Sequence, residues 1–258
     1  MLQATRFRRI TALLATFEQL STERVAQELG VSRETVRRDV LELEAQGSLR
    51  RVHGGIVALD EEPREPPLSV RQAARARHKR AIARAAAARV EPGQTLFVDA
   101  GSTTALLAEA LAALQGVTVI TNGLDVARRL MRRGAQEGGN EVVLLGGHLD
   151  ADGSATYGDV TVADIHRYRA DLALLSPVGI SAQYGATSYV LHEAVVARAM
   201  AARAGRCWIL ADYSKIGQCS RSVYAAPADI DMVISDARAA ALPAWQALCE
   251  SGCKTVLA

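Results

Sequence analysis

The chain has 258 residues, 49% of them hydrophobic but only 4% aromatic, so its cores must be built from Ala, Val, Leu and Ile. A formal net charge of +2 excludes any bulk-charge argument for nucleic-acid binding. Residues 1–59 hold nine Arg against seven acidic residues, and the remainder is neutral, so local arrangement has to carry any such case. No apolar run reaches membrane-spanning length, and no signal-peptide core follows the Arg-bearing start, so a cytoplasmic protein is expected. Cys207, Cys219, Cys249 and Cys253 form no CxxC pair, and Cys249 and Cys253 have no nearby Cys or His to complete a zinc site. Free thiols, no metal and no cofactor are expected.

The first predicted helix covers 5–17 and packs through Ile10, Leu13, Leu14 and Phe17. Ser21 is placed to cap a second helix, Thr22 to Leu29, and Gly30 suits the left-handed position that ends it. Ser32 then caps a third helix, Arg33 to about Ala45. With Val36 at zero on a helical wheel, Val40 and Leu43 fall within about 40° of it, using 100° per residue. Arg37 and Arg38 lie away from that stripe. The pair reads as a helix-turn-helix with two arginines facing out, able to grip guanine edges or phosphate. Ser32 and Thr35, at the helix start, are placed to donate to phosphate. After Gly47, two short β-like runs around Gly54-Gly55 read as a wing. It carries Arg50, Arg51 and His53 toward backbone or minor groove, though His53 is equally suited to supporting the turn. A lone Arg pair reads as a solvated face, but capping, spacing and a basic wing agree here.

The run Ser32-Arg33-Glu34-Thr35-Val36-Arg37-Arg38-Asp39, followed by Gly47 and Arg51-Val52-His53-Gly54-Gly55, resembles the signature of DeoR-family transcriptional regulators. The resemblance extends over nearly the whole chain. It implies that Ser32, Arg33, Thr35, Arg37 and Arg38 contact a double-stranded DNA operator.

Residues 60–67, with three prolines among charges, cannot propagate a helix or a central strand. The expected organisation is a winged helix-turn-helix over 1–59, a linker over 60–68 and an α/β domain over 69–258. An Ala- and Arg-rich helix is predicted over 69–89. Strands at 96–98, 117–120, 142–145, 172–175, 207–210 and 232–234 then alternate with helices at 103–114, 124–133 and 192–204. Continuous apolar strands between helices imply a mainly parallel sheet covered on both faces.

Loops at the carboxyl ends of such strands are where ligands bind. Asp99 through Thr104 run from a strand into a helix. Gly101 permits a tight turn, and Ser102, Thr103 and Thr104 add hydroxyls beside the free N–H groups of a helix start. The alternative is a plain capped turn. Asn122, Gly146, Gly147 and Lys215 sit on equivalent loops. Lys215 offers a compact charge for a phosphate or is a surface lysine, and Asp99 either holds a sugar hydroxyl or caps the helix.

These segments also resemble the DeoR effector domain, which is similar in fold to pentose-phosphate isomerases and CoA-transferases. That implies a phosphorylated sugar or polyol as effector, with Gly101, Ser102, Thr103, Thr104 and Lys215 binding its phosphate. Val178 departs from the acidic or small residue common among relatives and leaves the ligand's identity open. His192-Glu193 resembles the pair found in the glycerol-phosphate-sensing branch, although His192 equally suits a structural role at a helix start.

The leading expectation is a ligand-responsive repressor acting as a dimer or tetramer, without catalysis and without a membrane partner. An isomerase-like enzyme tethered to DNA is the alternative, with Asp99, Asp212 and Glu193 as its candidate bases. A non-specific architectural protein is a third reading, against which the neutral C-terminal part argues.

Overall fold

The computed structural model describes residues 3–17, 19–46, 48–52, 55–58, 68–131 and 139–258. The chain divides into two compact units, Met1–Arg64 and Glu65–Ala258. The linker expected over 60–68 falls, apart from its last residue, outside the described residues, as do Gly47, His53, Gly54 and the side chain of Phe17.

The first unit contains α1 (Gln3–Phe17), β1 (Gln19–Ser21), α2 (Thr22–Leu29), α3 (Arg33–Ala45), β2 (Leu49–Val52) and β3 (Gly55–Ala58). Both predicted caps form: Ser21 accepts from the Arg24 N–H at 3.2 Å and Ser32 from the Thr35 N–H at 3.1 Å. Gly30 closes α2 with φ 63°, and the following Val31 N–H donates back to the Ala26 carbonyl. Ile10, Leu14, Val25, Val36, Val40, Leu43, Leu49 and Ile56 share one core. Strand β1, which the sequence reading lacked, pairs antiparallel with β3 and makes a three-stranded sheet in the order β1-β3-β2. Gly55 belongs to β3, where a Cβ would lie 2.5 Å from the Leu20 carbonyl oxygen. Its need for glycine is therefore the close approach of β1.

The second unit begins with α4 (Leu68–Ala73) and α5 (Ala76–Ala87). These replace the single helix predicted over 69–89. The break is at Arg75, whose φ of 55° is left-handed, the only such non-glycine among the described residues. Then come β4 (Thr95–Val98), α6 (Ser102–Leu111), β5 (Thr118–Thr121), α7 (Leu124–Met131), β6 (Glu141–Leu144), β7 (His148–Leu149), β8 (Thr156–Tyr157), α8 (Asp159–His166) and β9 (Ala170–Leu175). The remainder is β10 (Gly179–Ser181), β11 (Gly185–Ser188), α9 (Leu191–Ala202), β12 (Ala204–Leu210), β13 (Ser222–Ala225), β14 (Met232–Ser235), α10 (Pro243–Glu250) and β15 (Lys254–Leu257).

Seven strands form one sheet in the order β15-β14-β12-β9-β4-β5-β6, and every pairing in it is parallel. Alternate residues face opposite sides, and both sides are apolar, as a doubly covered sheet requires. Leu96, Val98, Leu172, Leu174, Trp208 and Leu210 pack with residues of α5, α6 and α7. Phe97, Ala173, Leu175, Cys207, Ile209 and Val233 pack with residues of α8, α9 and α10. A small antiparallel sheet, β10-β11-β13, and the β7–β8 hairpin complete the unit.

The register aligns the strand ends. Val98 lies beside Thr121 and Leu174, Thr121 beside Leu144, Leu174 beside Trp208, and Leu210 beside Ile234. The segments after β4, β5, β6, β9, β12 and β14 thus all leave from one edge.

Candidate functional site

On the first unit, α3 buries Val36, Asp39, Val40 and Leu43 and leaves Arg33, Arg37 and Arg38 exposed. Arg33 pairs with Glu23 of α2 at 2.9 Å, and Arg38 with Glu34 one turn back at 3.6 Å. Both pairs are solvent-exposed and exchangeable for phosphate at little cost. The Ser32 and Thr35 hydroxyls are 2.8 Å apart and hold the helix start. Arg50 is exposed on β2. Arg51 is held by Glu44, which takes its guanidinium at 2.6 Å and its backbone N–H at 3.1 Å. That contact ties the wing to α3.

Asp39 was part of the recognised run, but no role was read for it. It is 1% exposed, and its two oxygens accept from Arg6 Nε at 2.5 Å and from a second Arg6 guanidinium nitrogen at 2.8 Å. The hydrogen bond to Asp39 holds the Arg6 guanidinium above its usual pKa. This fork–fork pair locks α1 onto the recognition helix. The wheel carried the signal: Asp39 lies about 60° from Val36, beside the buried stripe.

On the second unit, a cavity opens at the carboxyl edge of the large sheet. Its wall includes Asp99, Ala100 and Gly101 after β4, Asn122 and Gly123 after β5, and Asp125 at the start of α7. Asp150 and Ser154 come from the β7–β8 hairpin, Ser176 follows β9, and Glu193 is on α9. Leu68 and Arg71 come from α4. Asp99 is 8% exposed; its Oδ2 accepts from the Ser176 N–H at 2.9 Å. Its Oδ1 accepts no hydrogen bond among the described residues. Burial drives its carboxyl well above the ordinary range, outweighing the Ser176 hydrogen bond, the Lys215 charge and the nearby Thr104 hydroxyl, which itself donates to the Gly101 carbonyl. Asn122 accepts from the Ala100 N–H and donates to the Thr156 carbonyl, so it ties the segments after β4 and β5 to β8.

The expected hydroxyl cradle is arranged differently. Ser102, Thr103 and Thr104 are buried. Ser102 Oγ accepts from Lys79 Nζ at 2.9 Å, and Thr104 Oγ1 donates to the Gly101 carbonyl. Thr103 Oγ1 is buried with no partner among the described residues, and none of the three lines the cavity. At this turn only Gly101 reaches the wall, and it supplies no side-chain cap to α6. Lys215 Nζ donates to the Pro177 carbonyl and is not on the wall. Gly146 and Gly147 are also off it. A Cβ on Gly147 would lie 2.1 Å from Thr161 Oγ1, so that glycine answers a steric need.

Two further charged groups of this unit are buried: Lys79, which no sequence signal marks, and Asp212, one of the three candidate bases. Lys79, 2% exposed, donates to the Arg71 carbonyl at 2.6 Å as well as to Ser102, and burial lowers its ammonium to about 8. Asp212 is fully buried. Burial pushes it up, but Ser214 hydrogen bonds and the Arg75 and Lys215 charges outweigh this and hold it below the ordinary range. Of the three candidate bases, Asp99 and Glu193 line the cavity, while Asp212 is bound to Arg75 at 3.1 Å and to Ser214. Glu193 accepts from Ser188 at 2.9 Å. His192 stacks on Tyr157 at 4.1 Å, and burial lowers its pKa. Val178 donates its N–H to the Thr187 carbonyl. Cys207 is buried, and burial raises its thiol to about 12; Cys219 and Cys249 are exposed. Among the described residues no cluster could hold a metal ion, and no helix is long and apolar enough to cross a membrane.

Comparison with known proteins matches residues 6–62 to the DeoR-like helix-turn-helix domain and residues 74–237 to the DeoR C-terminal sensor domain. The chain belongs to the DeoR family. It is a DNA-binding transcriptional regulator built from a helix-turn-helix unit and an α/β sensor unit. Among its relatives, the HTH-type transcriptional repressor GlcR of Bacillus subtilis is 33% identical, over 92% of this chain and 89% of that protein. The HTH-type transcriptional regulator GlpR of Haloferax volcanii is also 33% identical, over 92% and 91%. The glycerol-3-phosphate regulon repressor of Escherichia coli is 30% identical, over 92% of each chain. A ribose 5-phosphate isomerase from Methanocaldococcus jannaschii superposes on 53% of this DeoR-family chain and 52% of its own, at 18% identity and a TM-score of 0.36. That likeness is too weak to argue from.

Proposed function

We propose that this regulator represses genes of sugar or polyol metabolism, and that a phosphorylated metabolite in the sensor cavity changes its affinity for the operator. In this reading residues 1–59 read DNA, and residues 69–258 sense the effector and assemble the chain into a dimer or tetramer. Arg37 and Arg38 reach base edges, while Ser32, Arg33, Thr35 and Arg50 reach phosphates. Arg51 acts through the wing that Glu44 holds, and His53 would extend it.

The observation that carries the effector reading is Asp99. A carboxyl oxygen buried on a cavity wall without a donor is costly unless a ligand supplies one. A polyol hydroxyl does so, while the turn at Gly101, the part of the α6 start that reaches the wall, takes the phosphate. The names of relatives that regulate glycerol phosphate genes support the same class. Asn122 shapes the wall, and Lys215 sets the field from behind it, as its charge acts on Asp99.

We read the sensor unit as non-catalytic. Asp99 is accounted for as an acceptor for the effector's hydroxyl, and Glu193 by the hydrogen bond it accepts from Ser188. Turnover of pentose or hexose phosphates that depended on Asp99 would overturn this.

The direct test is fluorescence anisotropy on operator and random duplexes, with and without glycerol 3-phosphate and sugar phosphates. Arg37→Ala should weaken operator binding about 10- to 100-fold, corresponding to about 1–3 kcal/mol, without shifting either unfolding transition. Equal affinity for both duplexes would reject sequence-specific reading. No response to any phosphorylated compound would reject the effector assignment.

A further inference from the structure

We infer that helix α5 is a second DNA contact, whose side chains Arg77, Arg80 and Arg84 bind phosphates of the duplex flanking the operator. The contact lies outside the helix-turn-helix unit and does not depend on the effector. The chain after residue 59 is formally neutral, yet α5 carries Arg77, Lys79, Arg80 and Arg84 and no acidic residue. Lys79 is buried and donates to the Arg71 carbonyl and Ser102, and His78 pairs with Asp236 at 3.0 Å. The three arginines are exposed and have no ion pair or hydrogen bond among the described residues. At 100° per residue they fall within about 60° of one another, along about 10 Å of helix.

The stripe works against the helix that carries it. Arg77 and Arg80, three residues apart, and Arg80 and Arg84, four apart, are like-charge neighbours that destabilise a helix. Arg77 also sits in the first turn, at the positive end of the helix dipole, and Arg75 supplies no side-chain cap there. On α3 the same charge is compensated, because Arg38 has Glu34 one turn back. On α5 alanine stands at every other position three or four residues from these arginines, so no carboxylate relieves them. A helix that keeps such repulsion gains when a polyanion lies along it. Arg80 and Arg84 line an open groove of about 770 Å³ beside α5 and α6, with Ala83, Ala87 and Ala110 between them and α6. Glu109, the one carboxylate among its described lining, is taken by Arg129. Among the described residues no exposed large apolar side chain lies on α5 or α6, so this face lacks the apolar core of a protein interface. A second copy docked two-fold across it would set the arginines against each other. Duplex DNA supplies the missing charge. The chain already holds duplex through its helix-turn-helix unit, so further phosphates are met at high effective concentration.

The full chain would first select a core duplex from a random pool. Its affinity would then be measured by fluorescence anisotropy across a salt series, on that core and on the core extended by about two helical turns at each end. In the wild-type chain, extension steepens the dependence of log affinity on log salt. The triple variant Arg77→Gln, Arg80→Gln, Arg84→Gln loses about 2 to 3 from that slope on the extended duplex, at about 0.9 per phosphate contact, and keeps the wild-type slope on the core. The corresponding triple lysine variant keeps its charges and therefore both slopes. The unfolding midpoint of the sensor unit does not fall in either. If the triple glutamine variant folds poorly, Arg84→Gln alone should lose about 0.9 from the slope. A wild-type slope on the extended duplex in the glutamine variants overturns the contact. So does an equal loss on core and extended duplexes, and so does a wild-type chain indifferent to the extension. Unchanged slopes combined with lost binding of a polyglutamate peptide would assign the stripe to an acidic protein and overturn the DNA contact as well.

Discussion

The two units place their functional groups in opposite ways. In the helix-turn-helix unit the arginines stand on the solvent side of a capped helix, and the polar group that matters structurally, Asp39, is buried and fully paired. In the sensor unit Asp99 and Asn122 on the cavity wall are themselves buried, and one oxygen of Asp99 is left without a hydrogen bond among the described residues. A surface that meets polyanionic DNA gains from exposed cations, which cost nothing to keep in water. A cavity that selects a small ligand gains from desolvated groups, which give up stability until the ligand arrives.

The largest test of this contrast is Asp39→Ala. It leaves Arg6 without its acceptor and releases α1 from α3, so the unfolding transition of the first unit should be lost or shifted down by many degrees, and operator binding with it. The sensor unit's transition and its ligand affinity should stay unchanged. Calorimetry of the full chain reads both, and a shift of both transitions would break the separation of the units.

Asp99→Asn should act in the opposite direction on stability. The amide still accepts from Ser176 and no longer carries a buried charge, so the sensor unit gains on the order of 1 kcal/mol near neutral pH, while effector affinity falls. The pH dependence follows from the raised carboxyl. Its contribution is fully present below the ordinary value of 3.8 and is lost as pH rises through the elevated folded value. The stability difference between variant and wild type should therefore widen with rising pH over that window. A difference that is flat with pH would mean that Asp99 has a donor within the protein.

Ser32 gives the smallest effect and separates capping from DNA contact. Ser32→Ala should cost the first unit about 1 kcal/mol. Ser32→Asp should restore the cap yet weaken DNA binding, because its carboxylate faces phosphate. Unchanged DNA affinity in the aspartate variant would remove Ser32 from the interface.

The helix-turn-helix was legible because its signals are local. Ser21, Gly30 and Ser32 act on backbone groups within a few residues, and the α3 stripe repeats with the helical period. The parallel sheet was legible for a similar reason, since each strand is a short apolar run. Strand β15 and helices α8 and α10 were missed; β15 is a four-residue edge strand whose β propensity depends on its neighbour β14.

The cavity was legible only in part. Asp99, Gly101 and Asn122 were found because they follow strands. Arg71, Asp125, Asp150 and Glu193 reach the same cavity from helices and a hairpin far apart in the chain. The hydroxyls of Ser102 and Thr104 read as phosphate donors, but the sequence could not show that Lys79 and Gly101 already engage them.

By itself, then, the sequence determined the caps, the α3 stripe, the alternation of strands and helices, and the strand-end turns at Asp99–Gly101 and Asn122 that line the cavity, all set by interactions within a few residues. Tertiary structure alone decided the break at Arg75, the burial of Lys79 and Asp212, the Arg6–Asp39 lock and the inward face of α4. Each of these depends on charges and carbonyls brought together across tens of residues. Only the folded sheet edge fixes which of those groups share a desolvated space and which remain in water.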